Sequence, residues 1–147
     1  MKKNFGPLRV ASYLLVLFAF GHTSGAVIKV PHFGPASDAV VSQMQNVHIA
    51  AQGADCTWYG FYRGFGWYVT LFLLLAAFLA WWVGGMDARS RPALLPVAWG
   101  LALVNVANVP LTFLYFFPAP RVFQSVIAAL LVLGCVLQSV KARETEA

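Results

Sequence analysis

Four long apolar runs, roughly residues 10–28, 65–85, 93–117 and 122–140, dominate the chain, and a few polar side chains interrupt each of them. A helix of about 20 residues crosses a hydrocarbon core ~30 Å thick, so each run is long enough to span a bilayer. Within lipid the backbone must satisfy its own hydrogen bonds, which makes helices the expected form. The polar interruptions are His22, Thr23, Thr70, Asn105, Asn108, Gln124 and Ser125. Polar groups at membrane depth are costly, face the bundle interior as a rule, and often mark function. The predicted fold class is all-α: a four-helix transmembrane bundle with a short amphipathic helix in the first external loop. Residues 1–147 are expected to form a single integral membrane domain.

The loop 29–64 is the one sizeable stretch between spans. Pro31, Gly34 and Pro35 are expected to break the first helix. Ser37 can cap a short helix running to about Gln52, with Gly53 ending it. Val40, Val41, Met44, Val47, His48 and Ala51 follow helical spacing and form an apolar stripe, while Gln43, Gln45 and Asn46 lie largely off it. Such a helix lies on the membrane surface or caps its own bundle. The segment 58–68 then brings Trp58, Tyr59, Phe61, Tyr62, Phe65, Trp67 and Tyr68 together, as in an interfacial aromatic belt. Trp81 and Trp82 mark the opposite interface of the second span, Pro110 is expected to interrupt the third, and 118–120 is expected to be a tight turn.

Composition supports this pattern: 60% of the 147 residues are hydrophobic and 10% are charged, against about 25% charged in soluble domains. The net charge is +5, but the cations cluster at the ends of apolar runs, so membrane topology explains them better than nucleic acid does. Lys2, Lys3, Arg9, Arg89, Arg91, Lys141 and Arg143 would lie on one side, and Lys29, Arg63 and Arg121 on the other. Seven against three favours both termini in the cytoplasm. The expected location is an integral membrane position, the bacterial inner membrane in particular. The start of the chain has a second reading. Basic residues, an apolar stretch and Ser24-Gly25-Ala26 also fit a cleaved signal peptide. Against cleavage, the helix can continue through Val27 and Ile28, and Gly21 and Gly25 suit close helix packing. Cys56 and Cys135 are too far apart along the bundle to pair, at ~25 Å or more in depth.

Counting from the charged ends at about 1.5 Å per residue puts His22 and Asn105 ~20 Å deep, Asn108 ~24 Å, and Thr70 and Gln124 ~25 Å. A polar layer in the outer half of the bilayer is therefore expected, with Arg63 and Trp67 above it. The candidate ligand-binding residues are His22, Thr23, Arg63, Trp67, Thr70, Asn105, Asn108 and Gln124. Two explanations stand side by side. Helices can hydrogen-bond one another through these groups, or the groups can line an outward-open pocket for a lipid head group, a sterol hydroxyl or a quinone carbonyl.

Asp38, Asp55, Asp87, Glu144 and Glu146 all fall outside the apolar runs, so carboxylate catalysis and proton-coupled transport have no support, and no catalytic residue is assigned. The histidines are dispersed without ligand spacing, so no metal and no cofactor is expected. The expected function is that of a non-enzymatic lipid-associated or scaffolding protein whose partners are membrane lipid, other membrane proteins or a second copy of itself, not nucleic acid. The alternative is a small membrane enzyme or carrier acting on an amphipathic lipid, sterol or quinone through His22.

Several short motifs carry a resemblance. Leu8-Arg9 precedes an apolar helix with Gly21-His22-Thr23, Arg63-Gly64-Phe65-Gly66-Trp67 opens the second span, and Ala119-Pro120 opens the fourth. In this order of features the chain resembles the small four-helix ergosterol-biosynthesis scaffold family, from which it departs by its longer first loop. It is also similar in size and helix count to uncharacterised bacterial four-helix membrane proteins. The resemblance to the scaffold family implies a non-catalytic membrane hub for lipid-modifying enzymes.

Overall fold

Four helices long and apolar enough to cross a membrane run over Pro7–Ile28, Trp58–Val83, Arg91–Tyr115 and Pro118–Glu144 in the computed structural model, which describes residues 6–30 and 32–146. Lys2 and Lys3, which entered the topology count, and Pro31, expected to stop the first helix, lie outside the described residues. The elements in chain order are α1 (Pro7–His22), a π-helical segment (Thr23–Ile28), α2 (Pro35–Asn46), β1 (His48–Ala51), β2 (Ala54–Thr57), α3 (Trp58–Val83), α4 (Arg91–Tyr115) and α5 (Pro118–Glu146). The all-α class and the four-helix bundle stand as expected.

Helix starts follow local chemistry. Pro7 opens α1, and the Gly6 carbonyl accepts the first amide bonds from Arg9 and Val10. Pro35 begins α2 after Gly34, whose φ of 99° only glycine adopts readily. Pro35 therefore starts a helix as well as following one. The Thr57 hydroxyl accepts the Gly60 amide at 3.0 Å, which caps α3 and starts it at Trp58, ahead of the apolar run. The prolines of 118–120 form the first turn of α5, so the turn itself is confined to Phe116 and Phe117. Neither Pro96 nor Pro110 ends α4.

One expectation fails in the loop. The helix read as 37–52 stops at Asn46, and His48–Ala51 pairs antiparallel with Ala54–Thr57. Gln52 and Gly53 connect the strands, both with positive φ, at 53° and 81°. Two successive positive φ values make the primed turn whose twist matches a hairpin. Gly53 is thus a turn residue, not the end of a helix.

The chain divides into two compact units, Met1–Phe18 with Leu73–Ala147, and Ala19–Phe72. In the first, Leu8, Ala11 and Leu15 of α1 share a core with Ala77, Ala80 and Val83 of α3, Ala98 and Ala102 of α4, and Ile127, Leu131 and Cys135 of α5. Many of these are alanines. Between helices in lipid, close packing of small residues replaces the hydrophobic drive. The buried Ser12 hydroxyl donates to the Ala77 carbonyl at 2.7 Å within this core. In the second unit, fully buried Val27 lies against Gly66, where a Cβ would come within 2.8 Å of its Cγ2. Cys56 and Cys135 are both free thiols.

Candidate functional site

The eight candidate residues do not behave alike. Four of them join in the second unit, on the last turns of α1, the π-helical segment and the start of α3. His22 Nε2 lies 3.0 Å from the Gly66 carbonyl oxygen. A carbonyl can only accept, so Nε2 carries a hydrogen, and in the neutral form of the ring Nδ1 has the lone pair. Thr23 Oγ1 lies 2.7 Å from the Ala19 carbonyl and 2.9 Å from Thr70 Oγ1, and Thr70 Oγ1 lies 3.1 Å from the Gly66 carbonyl.

Each hydroxyl has one proton to give. An assignment that satisfies both hydroxyls has Thr70 donating to Thr23 and Thr23 donating to Ala19. A short relay of hydrogen bonds then joins α1 to α3. Arg63 completes this side, with its Nε donating to the Val27 carbonyl at 3.1 Å and its guanidinium 5.9 Å from the Tyr59 ring centre. The π-helical geometry begins at Thr23, beside these contacts. Such distortions are rare and recur at functional positions.

Two more candidates join in the first unit. Gln124 Nε2 donates to the Asn105 backbone carbonyl at 2.8 Å and to Asn105 Oδ1 at 3.1 Å, while Asn105 Nδ2 donates to Leu101 O at 2.9 Å. Both side chains are buried. Asn108 and Trp67 take part in neither group: each is exposed on its helix. Asn105 and Asn108, three residues apart on α4 and so expected on one helix face, therefore share no contact.

Sequence reading missed several participants. The Gly66 carbonyl belongs to a residue without a side chain and leaves no polar signal. Ser12 did leave one, a hydroxyl within an apolar run. Trp99 Nε1 donates to Ser139 Oγ at 3.2 Å and Arg91 Nε to Gln138 Oε1 at 3.2 Å, joining α4 to α5 nearer the chain's charged ends. In the loop, His32 lies 3.3 Å from an Asp38 oxygen and His48 2.7 Å from an Asp55 oxygen. Among the described residues no group of three or more potential metal ligands converges.

Two apolar features accompany the second unit's polar group. A shallow groove of about 350 Å³ is lined by Ala39, Val40, Gln43, Met44, Val47 and Trp58. From Trp58 an exposed ladder of rings descends α3: Trp58 to Phe61 at 6.2 Å between centres, Phe61 to Phe65 at 4.9 Å, and Phe65 to Tyr68 at 6.4 Å.

The four apolar helices and their internally bonded polar residues define an integral membrane protein. Compared with family models, with curated proteins and with solved structures, the chain matches none. The resemblance to the ergosterol scaffold family accordingly rests on its short motifs alone.

Proposed function

We propose that this is a non-enzymatic, lipid-associated or scaffolding membrane protein. The observation that carries the reading is the largely apolar groove of α2 and Trp58, set at the head of the exposed aromatic ladder on α3. An amphipathic surface of aromatic and aliphatic side chains at the entrance of a span suits an acyl chain or the flat body of a lipid. The polar groups support the scaffolding half of the proposal. His22, Thr23 and Thr70 bond to one another's helices, and Asn105 and Gln124 do the same, so these groups hold helices in register. A second apolar groove, lined by Val106, Ala128, Ala129, Val132, Leu133 and Val136, offers small residues to a neighbouring helix or a second copy.

In this reading the protein sits in the bacterial inner membrane with both termini cytoplasmic and the α2–hairpin loop outside. A membrane-impermeant thiol reagent applied to intact cells would then label Cys56. Protection of Cys56 together with labelling of a cysteine added at the C-terminus reverses the orientation.

The lipid reading is tested by extracting lipid from the purified protein. One lipid class should be enriched over the bulk membrane and lost when Met44→Trp fills the groove. A lipid profile equal to the bulk membrane overturns it. A second reading, a small enzyme or carrier acting through His22, draws on the tautomer alone: Nδ1 retains a lone pair able to accept a proton. His22→Ala with unchanged stability but a lost lipid phenotype would favour that reading.

A further inference from the structure

Arg9 stands three residues into the first span, and Gly84 and Gly85 follow directly on the end of α3, so two span ends place this corner of the first unit at a membrane–water boundary. The Arg9 side chain lies across Gly84, where an added Cβ would come within 2.8 Å of Cγ. At Gly85 an added Cβ would come within 3.1 Å of Nη2. Glycine at both positions is what lets the arginine lie this close to the backbone. Its guanidinium carbon sits 4.7 Å above the Trp81 ring centre, and Tyr13, one turn further along α1, meets the same ring edge-on at 5.5 Å. The cation is thereby held on an aromatic face rather than left to wander.

What this arginine lacks is an anion. Its Nε is buried without a hydrogen-bond partner, and among the described residues neither Arg9 nor Arg89 of the α3–α4 connection is paired with a carboxylate. Asp87, two residues beyond Gly85, is engaged by Ser90, which gives it a backbone N–H at 2.8 Å and a hydroxyl at 2.9 Å. A partly buried cation with a donor already unsatisfied is costly unless a counter-charge is supplied. The anion met at a membrane boundary is the phosphate of a lipid head group, and a guanidinium fork matches phosphate oxygens better than an ammonium does.

We infer that Arg9, seated on Gly84 and Trp81, forms a head-group site for an anionic phospholipid. This site is separate from the α2 groove and does not depend on the function proposed for it.

The test uses the full-length protein in nanodiscs mixed from phosphatidylglycerol and phosphatidylcholine, with co-purifying lipid counted by native mass spectrometry. The wild type should retain phosphatidylglycerol preferentially. Arg9→Gln should lower that preference about fivefold, the scale of one basic residue acting at a charged membrane surface. Arg143→Gln, at the C-terminal end of α5, should leave it unchanged. Millimolar inorganic phosphate should not compete. Equal retention by Arg9→Gln and wild type overturns the site. An equal loss in Arg143→Gln reduces it to net charge and overturns it too, and competition by free phosphate excludes a lipid head group as the ligand. If Arg9→Gln does not fold, Arg9→Lys decides: partial retention upholds the proposal, and wild-type retention overturns it.

Discussion

Gln124 donates both to the backbone carbonyl and to the side-chain oxygen of Asn105, at 2.8 and 3.1 Å, and so ties α5 to α4 through one buried amide. The two partners contribute unequally. Asn105→Ala removes only the side-chain acceptor and leaves Gln124 its backbone bond. It should cost little more than the ~0.6 kcal/mol average for hydrogen bonds between membrane helices. Gln124→Ala removes both bonds, strands the Asn105 oxygen and opens a void, for a loss of about 1–3 kcal/mol. Unfolding of the two variants in mixed micelles should show this order. Equal losses, or the reverse order, would mean the amide is not the joint.

The hydroxyl relay leads to a second expectation. With Thr70 donating to Thr23 and Thr23 to Ala19, Thr70→Val removes the bond between helices, while Thr23→Val removes that bond and one within α1. A double-mutant cycle on the two threonines should return a coupling of about 0.5–1 kcal/mol. Zero coupling would sever the relay at that link.

Close approach at Gly66 is a steric matter, separate from these polar bonds. A methyl group there would stand 2.8 Å from Val27 Cγ2, and valine has little rotamer freedom with which to yield. Gly66→Ala should therefore destabilise by about 1–3 kcal/mol, the usual cost of overpacking. Val27→Ala in the same chain should restore part of the loss. If Gly66→Ala is neutral, or Val27→Ala brings no relief, the contact is not the constraint.

The spans were legible because lipid demands long uninterrupted apolar helices, a demand that shows in any sliding count of residues. Their starts were less so. Thr57 caps α3 eight residues before the apolar run begins, and that cap is a local hydrogen bond, not a hydropathy change. The hairpin was hidden because Val47, His48 and Ala51 continue the spacing of the α2 stripe, and Gln52-Gly53 is not among the pairs that announce a primed turn. In the candidate site, the types of residue were legible and their partners were not. Gly66 serves through its backbone. Three residues of helix turn through about 300°, so Asn108 rotates ~60° away from the line on which Asn105 meets α5. That offset is enough to leave Asn108 exposed.

Asp87 supplies a pH-dependent expectation outside the spans. Its carboxylate is held below the ordinary aspartate value, first by the Ser90 backbone N–H and then by the Ser90 hydroxyl. A carboxyl whose folded pKa lies below its unfolded one adds stability above the unfolded value. That contribution is lost as the pH falls through the folded pKa. The α3–α4 connection should thus hold its turn at neutral pH and loosen only well into acid, below about pH 4. A carbon-detected NMR titration of Asp87 should give a midpoint below that of an unstructured aspartate. Ser90→Ala keeps the backbone donor and deletes the hydroxyl, so it should raise the midpoint while leaving the larger part of the depression in place. A full return to the ordinary value in Ser90→Ala would make the hydroxyl the dominant partner and contradict the geometry.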